Sequence, residues 1–143
     1  MEILLKSILG ILIAAVMFVA VPPQAQDAGK IVSAQSAAKS WLALTDAAEY
    51  SKSWEQAATF FQSSVSKSNW QNAIQNVRSP LGGLKSRTIK SATFARSLPG
   101  APAGEYVVIQ YETQFEHQPN AIETVTPMVE KDGSWKVSGY YIK

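Results

Sequence analysis

The hydrophobic period of the chain switches once, at Gly82-Gly83, from the spacing of a helix to that of a strand. Upstream, apolar side chains recur three, four and seven positions apart, which marks one face of a helix. Ala34, Ala37, Ala38, Trp41, Leu44 and Ala48 predict a helix over residues 33–50. Trp54, Ala57, Ala58, Phe61 and Val65 predict a second over 52–65, and Trp70, Ala73, Ile74, Val77 and Leu81 a third over 68–81. Ser51 and Ser66 or Ser68 are suited to cap the later two, and Pro80 with the glycine pair closes the last. Downstream, Val107, Ile109, Tyr111, Thr113 and Phe115 alternate with Tyr106, Val108, Gln110, Glu112 and Gln114, the two faces of a strand. Further strands are expected over 84–98 with a bend or bulge near Ser91, over 122–130, and from Trp135, where Trp135, Val137, Gly139 and Tyr141 should share a face. Asp132-Gly133 is a hairpin signal, and Pro127, which cannot donate to a ladder, belongs at an edge or a bulge. Helices followed by an antiparallel meander make an α+β domain, with three N-terminal helices packed on one face of a curved four-stranded sheet.

The N-terminus is a separate device. Ile8 to Val21 carries no charge, follows Lys6, and ends at Pro22-Pro23. A run of about 14 apolar residues falls short of the roughly 20 that span a bilayer as a helix, and it fits the apolar region of a secretory signal peptide. Residues 1–25 are therefore expected to be a signal peptide cleaved after Ala25, residues 26–32 a linker, and 33–143 a single domain, periplasmic or secreted and free of the membrane after cleavage. The chain has no cysteine, so an exported domain of this kind must be held by its core alone. Lys-Ser-Trp at 39–41 and 52–54, with Lys-Ser-Asn-Trp at 67–70, is spaced too closely for a solenoid repeat. We read it as three helices that each send a tryptophan into one core.

The chemical inventory is sparse. One histidine, His117, and no cysteine argue against a metal site or a His-based triad, and no phosphate-binding loop or nucleophile elbow occurs, so no metal, cofactor or catalytic set is assigned. With 13 basic and 11 acidic residues the net charge is +2, without the one-signed stripe that nucleic acid requires. Arg78, Lys85, Arg87, Lys90 and Arg96 precede Glu105, Glu112, Glu116, Glu123 and Glu130 along the chain, which suggests cross-strand charge pairing. Glu112 and Glu123, with Tyr106 and Tyr140 as proton donors, are the only candidates for acid–base chemistry in a closed cavity.

Across Ala38 with Trp41-Leu42-Ala43, Tyr50, Trp54, Trp70, Val77-Arg78, Pro80-Leu81-Gly82, Ser86-Arg87, Leu98-Pro99-Gly100 and Gly104-Glu105-Tyr106-Val107, the chain resembles a bacterial exported family. That family is known only as the domain of unknown function numbered four thousand and nineteen. The likeness continues through Thr113, Phe115, Glu123-Thr124-Val125-Thr126, Asp132-Gly133, Trp135, Val137 and Gly139-Tyr140-Tyr141-Ile142, and departs at Ala103, where an acidic turn residue is expected. It implies an envelope protein and carries over no catalytic position. By layout, the domain is similar to the cone-shaped folds of the nuclear-transport-factor-two and ketosteroid-isomerase class, which often hold a cavity under the sheet; that analogy assigns no function. The expected role is a non-catalytic ligand-binding or accessory module, with Arg78, Arg87, Tyr106, Glu123 and Tyr140 as candidate binding residues and a small molecule or envelope protein as partner. The alternatives are a small cavity enzyme using Glu112 or Glu123, and a structural protein acting through its surface.

Overall fold

The computed structural model describes residues 18–143, so most of the expected signal peptide lies outside the described residues. Four helices, rather than three, precede the sheet: α1 (Pro23–Asp46), α2 (Tyr50–Glu55), α3 (Thr59–Ser64) and α4 (Lys67–Arg78), the last running into a 3₁₀ turn over Ser79–Leu81. The strands are β1 (Leu84–Ala95), β2 (Tyr106–Phe115), β3 (Gln118–Val129) and β4 (Trp135–Ile142). They form one antiparallel meander in the order β1-β2-β3-β4, which leaves β1 and β4 as edges.

The segment 26–32, expected as a linker, is part of α1. Pro23 at the first helical position loses no hydrogen bond, and one glycine, Gly29, is too weak a breaker to stop a helix that the tertiary structure holds. Ile31 packs against the core and Lys30 reaches Glu105 at 2.8 Å, contacts to which composition is blind. At its other end α1 stops at Asp46, short of the expected Tyr50. Ala48 N–H donates to Thr45 O at 3.1 Å and Glu49 N–H to Leu44 O at 2.9 Å, the paired closure of a Schellman motif. The turn puts Ala48 at φ 56°, a left-handed conformation usually given to glycine.

The expected helix over 52–65 is split because the backbone at Ala58 turns extended and its N–H donates to Val137 O on β4 at 2.8 Å. That bond satisfies part of the β4 edge. Ser51 falls inside α2 and caps nothing, whereas Ser66 caps α4 by accepting from Asn69 N–H at 3.2 Å. The tryptophans do share one core. Trp41 Nε1 donates to Ser53 O at 2.8 Å, and Trp70 Nε1 to Ser53 Oγ at 2.9 Å. Phe61 stands edge-on to Trp70 at 4.9 Å and Tyr140 edge-on to Trp41 at 5.3 Å.

Bulges set which side chains face the helices. Lys85 and Lys90 are the extra residues in β1, the second beside Ser91 as expected. In β4 the pairing steps from Thr126↔Gly139 to Pro127↔Val137, so Ser138 is the extra residue. This accommodates Pro127 in an inner strand, at a bulge and not an edge. It also shifts the phase of β4. Val137 and Tyr140 both face the helices, while Tyr141 pairs with Thr124 on the outer face, correcting the expectation that Trp135, Val137, Gly139 and Tyr141 share one side. The β3–β4 connection is longer than the two residues expected, with Gly133 at φ 85° and Asp132 accepting from Ser134 N–H at 2.9 Å.

Candidate functional site

A row of polar side chains crosses the helix-facing side of the sheet at one end: Arg87 on β1, Thr113 on β2, Glu123 on β3 and Tyr140 on β4. Two helices close over it. Asp46 is the last residue of α1, and Arg78 the last of α4. A cation suits a helix C-terminus and an anion does not, so Asp46 needs the partners it finds here.

Glu123 is fully buried and every donor around it points at its carboxylate. Arg87 Nε and Thr113 Oγ1 donate to Oε1 at 2.6 Å each, and Arg87 Nη2 donates to Oε2 at 3.2 Å. Tyr140 donates to Oε2 in a short hydrogen bond. Arg87 is sandwiched, because the other edge of its guanidinium forks onto Asp46, Nη1 to Oδ2 at 2.7 Å and Nη2 to Oδ1 at 2.9 Å. Arg78 donates to Asp46 Oδ1 at 2.9 Å and to Thr45 Oγ1 at 3.2 Å, lies over the Phe115 ring at 4.8 Å, and leaves its Nε buried without a partner. Two guanidiniums face two carboxylates, so the cluster carries no net charge.

Burial alone would raise the Asp46 pKa, but the hydrogen bonds and charges of Arg87 and then Arg78 outweigh it and hold the group below its ordinary value. Burial opposes the charge on Arg87 too, and bonding to Asp46 and Glu123 reverses that, so its pKa is raised. Burial, reinforced by the charge of Glu123, pushes the Tyr140 phenol far above its usual range. Burial pushes Tyr111 up to about 12.

Of the residues singled out from sequence, the structure brings together Arg78, Arg87, Glu123 and Tyr140. It separates Tyr106, which lies on the opposite face of β2, covered by the connector, with its hydroxyl donating to Pro102 O at 2.5 Å. The even positions of β2 all face that way, which the alternation already implied. Glu112 is exposed on the same outer face and Glu123 has both oxygens occupied, so neither carboxylate stands free as a base in a cavity. The expected cross-strand pairing of charges reduces to Arg87 with Glu123; Glu105 pairs with Lys30 on α1, and Glu130 accepts from Thr59. Asp46, Thr45 and Thr113 were missed. Asp46 had a readable signal, an acid in the last turn of a helix with no basic neighbour in that turn.

Beside the network, α1 and β1 diverge around an open cleft of about 510 Å³, lined by Gln35, Ser36, Lys39 and Leu42 from α1, Arg87 and Ile89 from β1, and Tyr111 from β2. Among the described residues no group of three or more His, Cys, Asp or Glu could hold a metal ion, and no helix is long and apolar enough to cross a membrane.

A family model described as protein of unknown function (DUF4019) matches residues 37–140. The chain belongs to this family. The DUF4019 match begins within α1 and ends at Tyr140, so the whole Asp46–Arg78–Arg87–Glu123–Tyr140 network lies inside it. No curated protein and no solved structure matches this DUF4019 chain.

Proposed function

We propose that this DUF4019 protein is a non-catalytic module of the bacterial cell envelope that holds a small molecule in the cleft between α1 and β1. The observation that carries the reading is the cleft itself, whose size falls in the range of small-molecule sites and whose floor combines apolar and polar groups. The adjoining network supports a structural and not a chemical role, since both of its carboxylates are engaged by donors and leave no free base. Export is supported by the uncharged stretch from Ile8 to Val21, with the address cleaved after Ala25. Helices over one face of a sheet also favour the cone-shaped class of nuclear-transport-factor-two folds.

The test is native mass spectrometry of the protein purified from an envelope extract, unaltered and as Ser36→Trp. Ser36 is exposed on α1 at the cleft wall, so the indole occludes the cleft with little cost to folding. A bound small molecule carried by the unaltered protein and absent from the variant is the expected result. A protein that carries nothing, or whose passenger ignores the substitution, defeats the reading. A second reading, docking of an envelope protein, is favoured by a shallow apolar groove of about 230 Å³ between α4 and the β4 edge, flanked by exposed Val77 and Tyr141. Val77→Asp with Tyr141→Asp would abolish such docking and leave cleft binding intact.

A further inference from the structure

The cleft is asymmetric in what it offers, and the asymmetry names a ligand class. Among the described residues, the wall groups with an unpartnered hydrogen-bond donor are Gln35 and Ser36, whose oxygens can also accept, together with Arg87, Tyr111 and Lys39. Arg87 spends four N–H groups on Asp46 and Glu123. A guanidinium has five, so one N–H on Nη1 remains. The Tyr111 hydroxyl, on a residue only 5% exposed, donates to no protein atom, and burial keeps it protonated across the ordinary pH range. Lys39 stands at the rim without an acidic partner.

No carboxylate lines the cleft. The negative charges nearest to it, Asp46 and Glu123, are turned into the network and neutralised by Arg78 and Arg87. Free donors, two of them on cationic side chains, beside neutral acceptors only and no carboxylate favour an anion. Leu42 and Ile89 supply the apolar part of the surface. Leu42 forms the buried floor and Ile89, half exposed, forms a wall that water covers at a cost.

Resting on the cleft-binding reading above, we infer that the cleft takes an anionic amphiphile, its head group on Lys39, Tyr111 and Arg87 and its chain along Leu42 and Ile89. A medium-chain carboxylate is the simplest molecule of that chemistry. Lys39 and Tyr111 make the specificity for the head, because Arg87 is already committed to the fold.

The experiment is calorimetric titration of the full native chain with three ligands sharing a ten-carbon chain, below their micelle concentrations: decanoate, decanol and decyltrimethylammonium. The expected result is that decanoate binds tightest and the cation weakest. Lys39→Glu should weaken decanoate about tenfold while leaving the melting temperature and decanol binding unchanged, because Lys39 is exposed and unpaired. Tyr111→Phe should weaken decanoate several-fold, and Ser36→Trp should abolish the binding of all three. Equal affinity for the three heads, or a Lys39→Glu variant that binds decanoate undiminished, overturns the anionic assignment and leaves the cleft as a site of another class. Failure of all three ligands, with a different passenger still displaced by Ser36→Trp, overturns the amphiphile and again spares the cleft. Decanoate binding that Ser36→Trp does not touch overturns both.

Discussion

Arg87→Met tests how the fold is held. The substitution keeps an unbranched side chain of similar reach along β1 and removes the guanidinium. Four hydrogen bonds of 2.6–3.2 Å disappear at once, and both carboxylates lose their main counter-charge. Glu123, at 0% exposure, keeps only Thr113 and Tyr140, and Asp46 keeps Arg78. Breaking a buried pair from one side costs about 3–5 kcal/mol, because the surviving charge is left without compensation. With the buried Glu123 stranded and Asp46 left to Arg78 alone, a loss of about 4 kcal/mol is expected, or roughly 15 °C in Tm for a domain of this size. Urea unfolding followed by the fluorescence of buried Trp41 and Trp70 measures it, with an unchanged denaturant slope as the sign of an intact two-state fold. Adding Glu123→Gln to Arg87→Met removes the stranded charge, so the double variant should be more stable than the sum of the single losses by about 1.5 kcal/mol or more. A single loss under about 1 kcal/mol, or additivity within about 0.5 kcal/mol, would refute the account of a mutually neutralised network. Cleft binding that survives in the folded fraction of Arg87→Met assigns Arg87 to the fold.

Ala48→Gly should stabilise the protein by about 0.5–1 kcal/mol, since the residue sits at φ 56° and glycine adopts that conformation without the side-chain clash; an unchanged urea midpoint would contradict it. Stability should fall above about pH 10, because the folded pKa values of Tyr111 and Tyr140 lie above the unfolded one and only the unfolded chain then loses the protons. The slope expected is about 1.4 kcal/mol per pH unit for each tyrosine so raised, smaller by one such share in Tyr111→Phe, and urea midpoints that stay level from pH 9 to pH 11 would exclude it. Lys85→Val with Lys90→Val should increase self-association by light scattering, because these lysines occupy the bulges that interrupt the exposed β1 edge; a monodisperse double variant would show that the edge needs no guard.

The switch of period at Gly82-Gly83 carried the architecture, and the faces of β2 could be read from its alternation residue by residue. What was illegible depended on contacts distant in sequence. Nothing local marks Ala58 as the point where a helix yields a donor to β4, nor shows that Ile31 and Lys30 anchor a helix through the expected linker. The inward turn of Tyr140 needed the bulge at Ser138; Pro127 signalled a bulge, but nothing local placed the extra residue on the facing strand. For the site, Glu123 could be named as a strand carboxylate near the basic cluster, together with Arg78, Arg87 and Tyr140. Asp46 could not be joined to it, because the partnership exists only once α1 lies across β1 and β3.

The network also has a kinetic side. Asp46 is 32 residues from Arg78 and 41 from Arg87, and Arg87 is 36 from Glu123. None of these groups gains from desolvation until both helices and all four strands are docked, so the bonds should form late, after the folding barrier. Their contribution then falls on the rate of opening. Arg87→Met should accelerate unfolding in stopped-flow urea jumps and leave refolding nearly unchanged, and a slowed refolding limb would place the cluster in the nucleus instead. For a cysteine-free domain that we propose is exported, that slow opening is the property a disulfide would otherwise supply.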